Sequence, residues 1–230
     1  MIRGFYETAD YGDLLIFRAE FKQFFLSPKC LHFIPLMMAG AVLTAWVYPV
    51  ASPFVPVVIV VFSGLEPQFN NIFYSTPGEL ETLSVLPVSW RRVVLAKNCA
   101  TLLLVLLMFI LCSMALLYFS PDTVSWRYTS DALLYLPTVL FPALHIGNMR
   151  SIQNPRRRAG MTSTDLFEAL WMILTIGALS APYFIMTGLF EVPLLCALYG
   201  VGMAIAWYRY SPARTASLIA EERVRICQAY

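Results

Sequence analysis

The chain has 230 residues, 59% of them hydrophobic and 13% charged, with a mean hydropathy of +0.67 and a formal net charge of +2. Soluble domains carry about 25% charged residues, so these values exclude intrinsic disorder. An odd count of five cysteines, spread from Cys30 to Cys227 without a C-x-x-C pair, argues against a disulfide scaffold or a paired-cysteine zinc site. The small net charge leaves no polybasic footprint for nucleic acid. The expectation is an all-α, polytopic membrane protein.

Residues 1–32 read as a cytosolic or interfacial N-terminal segment. Asp13 can cap a helix whose apolar positions Leu14, Phe17, Phe21, Phe24 and Phe25 recur at three- and four-residue steps, with Arg18, Glu20 and Lys22 on polar positions. Ser27-Pro28 closes it, because the residue before a proline is pushed out of the helical region. Such a helix lies flat among headgroups, either as a generic anchor or as a docking element. The first apolar run starts only after this charged stretch and has no small-residue cleavage site, so no cleavable signal is expected.

Six windows approach the roughly 20 apolar residues a membrane helix needs: 33–50, 54–75, 93–119, 132–148, 166–187 and 193–208. They define a six-helix transmembrane domain over 33–208, followed by a cytosolic tail over 209–230. With both termini inside, every lysine and arginine except Arg127 falls on the cytosolic side. If the second window turned back at Glu66, Arg91, Arg92 and Lys97 would lie outside, so six spans are preferred.

Inside the second window Glu66 is followed by Pro67, Gln68, Asn70 and Asn71. A charge deep in a span costs roughly 2.5–3.5 kcal/mol and usually faces a bundle interior. Glu66, Asn70 and Asn71 are therefore candidates for a translocation path, the alternative being a solvated position at the cytosolic interface. His145, near the inner end of span four, joins them as a possible partner of Glu66, although a lone histidine there also reads as a packing residue.

Between spans two and three, Thr76-Pro77-Gly78-Glu79 forms a capping box. A short helix follows through Leu80, Glu81, Leu83 and Leu86, and Pro87 stops it. Ser89 restarts the chain, Trp90 suits an interface, and Arg91, Arg92 and Lys97 can snorkel toward headgroups. A rigid element of this kind can carry a push from a cytosolic partner into the membrane helices; a single interfacial turn is the plainer reading. Further on, Glu168 completes a capping box with Asp165, and Arg156, Arg157 and Arg158 are expected to set topology and touch anionic lipid, with contact to an ATPase as the lesser reading. The small-residue spacings Gly200/Ala204 and Gly202/Ala206 allow close helix approach, within the chain or between chains.

These residues resemble the membrane permeases of ABC type-2 transporters, the export-type class. The resemblance rests on Asn71-Ile72-Phe73, Gly78-Glu79-Leu80-Glu81-Thr82-Leu83, Leu86-Pro87-Val88-Ser89, Arg91 or Arg92, and Lys97-Asn98. Gly147-Asn148, Ser151, Pro155 and Arg156 after span four add a second, looser match. The motifs cover about thirty-five residues; the six-span plan with an N-terminal interfacial helix covers nearly the whole chain. The resemblance implies that residues 76–87 are a coupling helix seated in a groove of a cytosolic ATPase, with Thr76, Glu79, Leu80, Glu81, Leu83, Leu86 and Pro87 as the coupling residues. It implies a complex of two permease chains, identical or related, with two ATPase subunits, in a bacterial cytoplasmic (inner) membrane. Residues 166–208 leave room for two spans and a short outer turn, but little for the external helices typical of lipid and drug exporters.

The chain carries no G-x-x-x-x-G-K-[ST] phosphate loop and no Gly-Lys dipeptide. No cofactor is therefore expected in this chain, and ATP and Mg are expected on the partner ATPase. An enzyme is disfavoured, since two histidines and scattered carboxylates form no catalytic constellation. An ion-coupled secondary transporter using Glu66 and a non-transporting membrane scaffold remain as alternatives; no convincing internal repeat favours the first.

Overall fold

The computed structural model describes residues 16–18, 22, 28–47, 56–58, 60–61, 89–119, 121, 126–153, 170–171, 174–175, 177–179, 181–183, 185 and 193–228. Among these residues the chain is all-helical, without strands. Four long helices are α1 (Pro28–Val47), α2 (Trp90–Phe119), α3 (Trp126–Gln153) and α4 (Pro193–Gln228). Further helical residues at 16–18, 56–58, 60–61 and between 170 and 185 fall within the predicted interfacial helix and within spans two and five.

Two of the four are long and apolar enough to cross a membrane: α2, with a mean hydropathy of 2.8, and the portion Asp131–Met149 of α3, at 1.3. In α1 the apolar helix is the shorter stretch Ile34–Val47. Pro28, expected to close the preceding helix, is the first residue of α1, where its missing N–H and fixed φ suit a helix start. α2 begins at the expected restart: the Ser89 carbonyl accepts from the Arg92 and Val93 amides at 2.9 and 3.2 Å. Three hydroxyls inside the helices bond carbonyls of their own preceding turns, Thr44 on Gly40, Thr101 on Lys97 and Thr175 on Trp171, so these add little cost in apolar surroundings.

The chain divides into two compact units, one of Met1–Gln68 with Leu95–Leu133, the other of Phe69–Val94 with Leu134–Tyr230. In the first, α2 buries Leu104, Val105, Met108, Cys112 and Leu116, and Gly40 of α1 approaches Val60. Its opposite stripe, Leu103, Leu106, Ile110 and Met114, is exposed and equally apolar. Lys97 does not extend to the surface as a snorkelling residue would; it is 4% exposed, one helical turn from the buried Val93 and Val94. Hydropathy placed it near the membrane end of the helix, whereas the face it occupies is set by tertiary packing.

In the second unit α3 and α4 lie side by side in parallel. Gly200 abuts Pro137, Trp207 meets Phe141, Ser211 bonds His145, and Ile219 joins Ile152. The His145–Ser211 and Phe141–Trp207 pairs share one separation of 66 residues and the other two fall within a turn of it, so the helices stay in parallel contact along about 22 Å of α3. α4 continues without interruption through Pro212 to Gln228, so residues 209–228, expected as a tail, prolong the helix of the sixth window.

Candidate functional site

Described residues of the second unit converge at two places. The first is the start of α2. Val94, Ile152 and Ile219 are wholly or almost wholly buried together, with Trp90 and Leu218 packed against them. Thus the first two turns of α2 are clamped on the ends of α3 and α4. Arg91 is exposed and lies over the Tyr208 ring, 5.8 Å from its centroid, which is within cation–π range.

Immediately before this junction runs the predicted coupling segment. Thr76, Glu79, Leu80, Glu81, Leu83, Leu86 and Pro87 lie outside the described residues, as do Glu66, Asn70 and Asn71. Of the predicted path residues, His145 is described. Its Nδ1 is 3.0 Å from the Ser211 Oγ. Hence the structure gives His145 a partner on α4. Ser211 was not singled out from the sequence; the signal for it was the four-residue spacing of Trp207, Ser211, Thr215 and Ile219, which are all buried.

The second place is a cleft of about 200 Å³ lined from α3 by Phe141, Pro142 and His145 and from α4 by Ala206, Trp207 and Tyr210, with Leu179 closing one side. Phe141 and Trp207 form its aromatic floor, with ring centroids 5.2 Å apart. The His145–Ser211 hydrogen bond turns their polar atoms toward each other, leaving nearly apolar walls. Tyr199 ties α4 to the segment carrying Leu179, its hydroxyl donating to the Leu179 carbonyl at 2.5 Å. Tyr183 of the same segment packs on Tyr135 at 5.1 Å. The Trp207 indole N–H and the Thr215 hydroxyl are buried without a hydrogen-bond partner, an arrangement that costs about 1–3 kcal/mol per group.

Among the described residues no three His, Cys, Asp or Glu side chains gather where they could hold a metal ion. Comparison with known proteins adds no family: no family model, no curated protein and no solved structure matches this chain.

Proposed function

We propose that this chain is the membrane-spanning permease subunit of an ATP-driven ABC exporter. In this reading six helices cross a bacterial cytoplasmic membrane with both termini inside, a second permease chain completes the pathway, and two cytosolic ATPase subunits supply the energy. The observation that carries the proposal is the junction at the start of α2. The coupling segment ends at Pro87, α2 begins at Trp90, and within two turns α2 is packed on α3 and α4 through Val94, Ile152 and Ile219. A displacement of residues 76–87 would therefore be passed to three helices through one junction.

Two further features support the membrane part. Parallel neighbours require the chain between them, residues 154–192, to travel back along their length, which is what a fifth span would do. The exposed faces of α2 and α4 are apolar, with Leu103, Ile110 and Met114 on one and Leu194, Leu198, Val201 and Ile205 on the other. Faces of this kind belong against lipid rather than water.

Purification of the tagged chain from membranes should bring down a P-loop ATPase. Replacing Glu79, Glu81 and Leu83 together should weaken that association while the chain stays in the membrane. Unchanged association would overturn the coupling assignment. A chain that purifies by itself and transports on a proton gradient would instead be a secondary transporter.

A further inference from the structure

We infer that the cleft between α3 and α4 holds a short segment of one acyl chain of an anionic phospholipid from the cytosolic leaflet, with Arg214 on its headgroup. The inference rests on the membrane part of the reading above and is independent of the ATPase. The cleft admits a short apolar segment and no folded partner: an apolar cavity of about 150 Å³ accepts a molecule the size of benzene, and this one, at about 200 Å³, takes a stretch of acyl chain whose remainder lies outside it. It is open on the side of Ala206 and Tyr210, which are both exposed.

Its chemistry selects among narrow occupants. A peptide would bring backbone N–H and C=O groups that need partners, and the walls offer almost none, because His145 and Ser211 are engaged with each other. An acyl chain makes no such demand. The headgroup preference comes from α4 itself. Met203, Trp207 and Tyr210 form one stripe at three- and four-residue steps, and Arg214 continues it one turn further, about 6 Å along the axis and exposed. Arg214, like Arg209, lies on the part of α4 that follows the apolar window, which in the six-span reading is the side of the cytosolic leaflet. Among the described residues the lining contains no charged side chain that would repel a phosphate.

The test uses the full chain in mild detergent, with acyl-brominated phosphatidylglycerol and phosphatidylcholine as quenchers of tryptophan fluorescence. The component lost on Trp207→Phe reports the cleft. Phosphatidylglycerol should quench that component at a concentration about fivefold lower than phosphatidylcholine, the preference one basic residue gives near an anionic headgroup. Arg214→Gln should bring the two lipids level. Ala206→Phe should abolish quenching by both, since it fills the cleft from an exposed wall position.

Equal quenching by the two lipids in the unaltered chain overturns the headgroup assignment. Quenching that survives Ala206→Phe overturns the cleft as its source. A Trp207 shielded from both lipids means that protein, such as a second copy of the chain, fills the cleft. Alkaline extraction of membranes separates failures: a chain released by carbonate defeats the membrane reading, whereas a retained chain without lipid preference defeats this inference only.

Discussion

Ile219→Ala tests the junction at the start of α2. Ile219 is fully buried, 0% exposed, and meets Val94 and Ile152, themselves at 0% and 1%. Truncating a buried isoleucine to alanine costs about 2–5 kcal/mol, the larger values where the site cannot relax. Here the rim is formed by the half-buried Trp90 and Leu218, which can move inward, so the lower half applies, about 2–3 kcal/mol. Val94→Ala removes two methyl groups from the same cluster and should cost about 2 kcal/mol. Because both truncations open one shared space, the double variant should fall short of the sum by about 0.5–1.5 kcal/mol. Thermal unfolding of the detergent-solubilised protein, followed by tryptophan emission, measures all three. Ile205→Ala is the control: the same deletion on the same helix, at a position 56% exposed, should cost less than about 0.5 kcal/mol. If Ile219→Ala destabilises no more than Ile205→Ala, or if the Val94 and Ile219 effects simply add, the junction is not a packed unit. If the proposed ATPase partner is recovered, Ile219→Ala in that complex should leave ATP hydrolysis running while transport falls.

The register between α3 and α4 gives two more outcomes. A Cβ built on Gly200 would sit 3.6 Å from the Leu134 carbonyl oxygen and 3.7 Å from Pro137, ordinary contact distances, so Gly200→Ala should be neutral or slightly stabilising. Gly200→Leu must push the helices apart and should lower stability by about 1–3 kcal/mol in the same melts. Ser211→Ala leaves the His145 Nδ1 facing a methyl group and should cost about 1–3 kcal/mol, whereas Ser211→Ala with His145→Leu should recover much of the loss by removing both polar partners.

Hydropathy made α2 legible because the uncharged run 99–119 is unambiguous, and the Ser89 restart was legible because a cap and an interfacial tryptophan coincide there. What it does not encode is which face of a helix meets which neighbour. Lys97 was read as snorkelling because it lies near a membrane end, yet its face turns inward. The apolar window ends at Tyr208, which marks residues 209–230 as a tail in the sequence but says nothing of where the helix stops. Leaving an apolar phase does not end a helix when one face stays buried, and Ser211, Thr215 and Ile219 keep it so at four-residue steps, even with Pro212 in the run. His145 was noticed, but its partner is 66 residues away, and only the parallel register brings the two together.

The dimensions of α4 give the junction its mechanical meaning. Its 36 residues make a rod about 54 Å long, whereas a bilayer core is about 30 Å thick. The apolar part, residues 193–208, accounts for about 24 Å, so about 30 Å of the same rod extends past it. Ile219 lies about 16 Å beyond Tyr208, on that extension, and it is there that Trp90 and Val94 of α2 and Ile152 of α3 are held. A contact on the extended part of a continuous helix tilts the apolar part when it is pushed sideways; a contact on a flexible tail would not. In the proposed permease, continuity through Pro212, rather than the junction's hydrophobicity, is what would let a movement at residues 76–87 become a movement of α4 among its neighbours in the membrane.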